Sequence, residues 1–202
     1  MLKIHHARRA RSARVIWLCE ELSIPYELAA VEFKREILQS PEYKTLHPLG
    51  QVPVVQDGDI TMFESGAILQ YLLEKHGESR LSPQIGAPER ALYLQWFHYG
   101  EAAIARHVSD IVRHRFSLPE AARNAVFLEE ARGRYRETLA VVDESLTGRD
   151  FMLGDAFSAA DIMIAYGIVM GKITKELPAE FENIGGYLGR LSERPAYAKA
   201  WA

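Results

Sequence analysis

Cysteine is almost missing from this chain: Cys19 is the only one in 202 residues. That excludes an internal disulfide framework and any Cys-x-x-Cys redox or zinc motif, and it fits a reducing compartment. Long apolar runs are missing too. The longest, Ile162 to Gly171, is about half of what a bilayer span requires. Met1 to His6 runs into arginines instead of the apolar core of a signal peptide. No charge of one sign dominates, and the net charge of −3 gives no electrostatic support to nucleic-acid or membrane-surface binding. His5 and His6 show no ligand spacing with other histidines, cysteines or acids, so no metal is expected. Internal repeats and low-complexity segments are also lacking. The expectation is a cytoplasmic protein with neither a nucleic-acid nor a membrane partner.

What is present is an ordinary globular balance, 48% hydrophobic and 25% charged, with enough length for one large domain or two small ones. The first 77 residues alternate strand and helix patterns. Leu2 to His5 reads as a strand. Arg14 to Ser23 reads as a helix with Val15, Leu18, Cys19 and Leu22 on one stripe. Tyr26 to Val31 is a second strand, and Ile37 to Leu46 a less regular helical piece ending at His47-Pro48. Asp57-Gly58 marks a hairpin between Val52–Gln56 and Ile60–Met62. Glu64 to Lys75 is a helix stopped by Gly77. Strand–helix–strand units favour parallel pairing while a hairpin must be antiparallel, so the sheet is expected to be mixed.

The pattern lapses over 78–87, a linker, and 88–202 reads as all-helical. Leu92, Trp96, Tyr99 and Ala103 form one apolar stripe. Leu128, Ala131, Tyr135, Leu139, Val142 and Leu146 form another, stopped by Gly148. Ser158 and Asp161 have the spacing of a capping box with Phe157 and Ile162 as its staple. The helix that follows is apolar on every side and therefore buried all round. A carboxylate beside it needs partners, so Ser158 and Asp161 read as structural.

Chemistry concentrates between Leu49 and Ile68. A strand led in by a proline, Pro53, offers a strand edge to which an extended peptide can add. Glu64 can accept an ammonium group. Ser65 opens a helix whose amides and dipole favour a carboxylate. The set suits a small peptide with charged ends.

These motifs, in this order, resemble the cytosolic glutathione S-transferase family, in a bacterial, theta- or beta-like branch. The resemblance rests on Arg14-Val15-Ile16-Trp17-Leu18, His47-Pro48-Leu49-Gly50-Gln51-Val52-Pro53, Glu64-Ser65-Gly66-Ala67-Ile68, the linker, the helical second half and the Phe157-Ser158…Asp161 box. It implies a thioredoxin-like N-terminal domain with a mixed four-stranded sheet, followed by an all-α domain. It further implies a cis Pro53, a homodimer and a glutathione site at Gln51, Val52, Pro53, Glu64 and Ser65. The implied activity is conjugation of glutathione to small hydrophobic electrophiles, with glutathione-dependent peroxide reduction as a further expectation. Glutathione is then a co-substrate and no cofactor is required.

One position departs from the family pattern. Relatives place a serine, tyrosine or cysteine before the first helix to activate the thiol, and here the stretch is Ala10-Arg11-Ser12. Lowering a thiol pKa by about two units from ~8.5 takes roughly 2.7 kcal/mol. Arg11 and Ser12 are the candidate catalytic residues, Ser12 by its hydroxyl and Arg11 by its charge or its backbone N–H. Four arginines in seven residues (Arg8, Arg9, Arg11, Arg14) form a cluster able to attract an anionic peptide. The second substrate is expected between the domains, against Trp96, Tyr99 and Arg106 or His107. Ala10 keeps a non-catalytic scaffold of the same fold open as an alternative. A glutathione-dependent reductase or isomerase is a weaker reading, since no cysteine lies near Ala10.

Overall fold

Strand β1 (Leu2–His6) begins the chain and becomes an inner strand of a sheet ordered β2-β1-β3-β4. The structure, a computed structural model, describes residues 1–78 and 80–202. Helix α1 (Ser12–Leu22) follows, and Ser23, in the left-handed conformation, stops it by donating its N–H to the Cys19 and Glu20 carbonyls. Strand β2 (Tyr26–Ala30) then pairs parallel to β1, from Leu2 against Tyr26 to His6 against Ala30. Strands β3 (Val54–Asp57) and β4 (Ile60–Phe63) form the expected hairpin around Gly58, whose φ of 60° suits glycine. β3 runs antiparallel to β1, so the sheet is mixed, as the sequence indicates.

Between β2 and β3 the sequence suggests one helical piece over Ile37 to Leu46. Two single-turn helices stand there instead, α2 (Arg35–Leu38) and α3 (Pro41–Lys44). The divider is Ser40-Pro41: proline has no N–H to continue a ladder, and the Ser40 hydroxyl caps the new turn by accepting from the Tyr43 amide at 3.1 Å. Helix α4 (Ser65–His76) completes the alternation.

Residues Ser82–Leu191 form a second, helical unit. Of the expected linker, residue 79 lies outside the described residues. Helix α5 (Arg90–Tyr99) widens into a π-helical stretch, Gly100–Ala105, before α6 (Arg106–Val112) and a second π stretch, Arg113–Ser117. Helices α7 (Ala125–Ser145), α8 (Ala159–Thr174) and α9 (Glu182–Ser192) follow. α8 is buried from Ala159 through Val169, so its lack of a polar face is satisfied by packing on all sides. Close backbone approach makes this possible. A Cβ on Gly100 would lie 2.5 Å from the Met163 carbonyl carbon, and one on Gly167 would lie 2.5 Å from the Ile104 side chain.

The capping box forms at α8. Asp161, fully buried, accepts from the Ser158 N–H at 2.8 Å, the Ser158 hydroxyl at 3.0 Å, the Met152 N–H at 2.9 Å and the Tyr187 hydroxyl at 3.0 Å. The sequence division into 1–77 and 88–202 differs from the structure at the C-terminus. Residues Ser192–Ala202, including helix α10 (Pro195–Trp201), group with Met1–Leu81. Arg194 grips Glu21 with two bonds of 2.6 and 2.7 Å, and Lys199 reaches Glu20 at 2.6 Å. The Tyr197 ring stands edge-on to Trp17 at 5.1 Å. Both acids and the tryptophan lie on α1, so its outer end holds the last helix.

A candidate ligand site at the start of two helices

The hairpin register sets the site. Val54 opposes Phe63 at the last pair of the hairpin ladder, so Val52 and Ser65 each lie two residues beyond its end. Glu64 joins β4 to α4 with φ 73° and ψ 105°, a conformation rare for any residue but glycine. Among the described residues no side chain caps α4, and its first ladder bond runs from the Ile68 N–H to the Glu64 carbonyl at 2.9 Å. The amides of Ser65, Gly66 and Ala67 therefore precede the intrahelical ladder, where donors and dipole favour an anion.

Ser65 is nearly buried, and its hydroxyl oxygen accepts from Arg14 Nη1 at 3.0 Å. A hydroxyl that accepts there keeps its own proton to donate. Arg14, on α1, is only 1% exposed, so its charge is fixed beside this helix start. An anion placed here meets backbone amides, one hydroxyl and one positioned cation. Glu64, by contrast, is exposed and available to an ammonium group.

The Val52–Pro53 peptide bond is cis, as the resemblance implies. β3 begins only at Val54. Val52 is 8% exposed, and neither its N–H nor its C=O enters a hydrogen bond among the described residues, so both groups remain to pair with an added strand. Gln51 is exposed, and its carbonyl accepts the Tyr43 hydroxyl at 2.9 Å. Burial pushes that phenol up to about 12, so it stays a donor. Gly50, with φ 61°, is required in the approach to this edge, because a Cβ there would fall 2.0 Å from the Leu38 carbonyl oxygen. Tyr43, Val52 and Val54 pack with Ala7, Ala10 and Leu38 in one buried cluster, which ties the turn before α1 to the open edge.

That turn bears on thiol activation. The Ala10 methyl lies in the cluster just named. Ser12 is fully buried, and its hydroxyl shares a 2.8 Å hydrogen bond with His6 Nδ1 and lies 3.3 Å from the Ala7 carbonyl, to which it can donate. The hydroxyl expected to face a thiol instead closes the 7–11 turn upon itself. Arg11 occupies the N-cap position of α1 and is half-buried. Burial lowers the His6 pKa, which favours the neutral ring.

Two participants escaped the sequence reading in their specific roles. Nothing local to His6 signals its partner six residues on, and Arg14 meets Ser65 across 51 residues of chain. In the helical unit, Trp96 is buried and edge-on to Tyr99 at 5.4 Å, a member of that unit's core. Tyr99 is half-buried and donates its hydroxyl to the Thr138 carbonyl at 3.2 Å, His107 is half-buried, and Arg106 is exposed.

Comparison with known proteins bears on the same two regions. Residues 1–74 match the family model of the glutathione S-transferase N-terminal domain, and residues 99–195 match that of the C-terminal domain. Glutathione S-transferase 3 of Schizosaccharomyces pombe is 30% identical, over 97% of this chain and 85% of its own. The theta class glutathione S-transferase of Xanthomonas axonopodis pv. citri, solved with glutathione bound, superposes with a TM-score of 0.83 at 28% identity, over 98% of this chain and 96% of that one. A glutathione transferase of Burkholderia graminis, solved with two glutathione molecules per subunit, gives 0.86 at 26% identity, over 99% and 87%.

Proposed function

The chain belongs to the glutathione S-transferase family, and from that premise we propose that it binds glutathione in its N-terminal unit and adds the thiolate to small electrophiles with an apolar body. The observation that carries this reading is the unpaired backbone of Val52 together with the start of α4, which bears no side-chain cap among the described residues, each two residues beyond the last pair of the hairpin ladder. The cysteinyl segment of the tripeptide adds to Val52 as a short strand. Its γ-glutamyl carboxylate sits on the Ser65 and Gly66 amides and the Ser65 hydroxyl, with the Arg14 charge behind them. Its ammonium group meets Glu64, and Gln51 reaches the remaining peptide end. Relatives of the same fold solved with glutathione bound support glutathione as the ligand.

The thiol then lies toward the 7–11 turn and the α1 start. With Ala10 unable to donate and Ser12 engaged by His6, activation falls to the positive end of α1 and to Arg11. An electrostatic device of this kind lowers the thiol pKa without taking up its proton, which passes to solvent. Reduction of hydroperoxides by the same thiolate is the second reaction this activation permits, and a homodimer in the cytoplasm is the proposed setting.

Calorimetry with glutathione tests the site. Binding in the millimolar range or tighter is expected, and Ser65→Ala is expected to weaken it by roughly ten- to a hundredfold, the value of one hydrogen bond to a charged group. No binding by the wild type ends the reading. Binding without turnover of chlorodinitrobenzene or cumene hydroperoxide would favour the scaffold alternative that Ala10 keeps open.

A further inference from the structure

Five cationic residues, Lys3, Arg8, Arg9, Arg11 and Arg14, precede Glu20, the first acidic residue of a chain whose net charge is −3. The structure separates the four arginines. Arg14 is committed to Ser65, and Arg11 is half-buried at the head of α1. Arg8 and Arg9 are exposed and make no ion pair among the described residues. They sit in the turn whose Ala7 and Ala10 methyls belong to the buried cluster that includes Val52. Arg9 holds φ 61°, a left-handed conformation that non-glycine residues adopt at a cost and that clusters at ligand clamps. Two exposed guanidinium groups without an ion pair among the described residues thus stand on the turn that shares a buried cluster with Val52, where the thiol is placed.

We propose that the electrophile this enzyme prefers carries a carboxylate, recognised by Arg8 and Arg9. This deepens the proposed function and rests on it. Glutathione's own carboxylates have the α4 start and Gln51, whereas the charge of Arg8 and Arg9 on the 7–11 turn is left without such a partner. Guanidinium forks suit a planar carboxylate, and an uncompensated positive patch raises the local concentration of an anionic partner. The step is ordinary aromatic substitution. The glutathione sulfur forms a bond to the ring carbon, chloride leaves with its electron pair, and the thiol proton goes to solvent. The carboxylate takes no part in bond making and serves only to hold the ring over the sulfur.

The test compares chlorodinitrobenzene with its carboxylate-bearing counterpart, chlorodinitrobenzoate, each normalised to its uncatalysed rate with glutathione. The wild type is expected to favour the benzoate in kcat/KM by about tenfold, within the range of electrostatic steering, and the preference should shrink as salt is added. Arg8→Gln with Arg9→Gln should abolish the preference and leave the KM for glutathione within about twofold. Arg8→Lys with Arg9→Lys, which keeps the charge, should retain most of it, and this separates charge recognition from damage to the turn. Equal use of both substrates by the wild type overturns the proposal. So does a double Gln variant that slows both substrates equally with a raised KM for glutathione, since the arginines would then serve glutathione itself. Failure of the underlying reading looks different: calorimetry shows no glutathione binding, and neither substrate turns over.

Discussion

The starts of α4 and α8 use the same chemistry, an acid and a serine at the head of a helix, to opposite ends. At α8 the box is closed. Asp161 is fully buried and accepts four hydrogen bonds, so nothing is left for a ligand. At α4 the acid is exposed, the helix has no side-chain cap among the described residues, and the serine hydroxyl is pinned by Arg14 instead of folding back onto the helix. Residue type does not separate the two. What differs is whether the tertiary surroundings complete the polar groups or leave them facing outward. The helical unit closes its charges elsewhere too: Glu176 accepts two bonds from Arg132, at 2.8 and 2.9 Å, and one from Arg115.

The sharpest way to break this contrast is Asp161→Ala. If the α8 box is purely structural, leaving its four buried donors without their acceptor should cost about 3–5 kcal/mol, read as a large drop in Tm by calorimetry. A loss below about 1 kcal/mol would show that the box is not what holds that helix.

Next in size is Glu176→Gln. Burial raises the Glu176 carboxyl pKa, and the hydrogen bonds from Arg132 and Arg115 outweigh it, holding the group below the usual range. A carboxyl lowered in the folded state stabilises above its unfolded pKa of about 4.3, and that contribution is lost as pH falls through the folded value. The substitution should cost about 1–3 kcal/mol at neutral pH. The gap between wild type and variant should close in acid, and a gap independent of pH would contradict the charge pairing.

The smallest effect tests the open site. Glu64→Gly relieves the positive φ at the head of α4. It should raise stability by about 1 kcal/mol while glutathione affinity falls, separating strain kept for binding from strain without use. A variant that gains stability and loses no affinity would remove Glu64 from the site.

Much of this was legible from local signals. The Asp57-Gly58 hairpin, the alternation of the first half, the α7 stripe and the Ser158…Asp161 box each declare themselves within a few residues, because turns, caps and periodicity are short-range physics. Pro53 and the Glu64-Ser65 start were found by motif, and the cis bond and the open helix start agree with that reading. The break at Ser40-Pro41 was also local, but the apolar pattern across it read as one helix. Cys19 behaves as the buried apolar residue its stripe suggests, its thiol pushed up to about 12 by burial and by Glu20.

What the chain settled alone were the elements, their order, and the two helix heads where acid and serine meet. Folding in three dimensions decided which head stays open. Arg14 reaches Ser65, His6 takes Ser12, and Glu20 and Glu21 draw α10 back to the first unit, pairings up to 179 residues apart. No local propensity encodes such contacts. They exist only because packing the apolar faces brings those polar groups within hydrogen-bonding distance, where an unmade bond costs more than a made one gains.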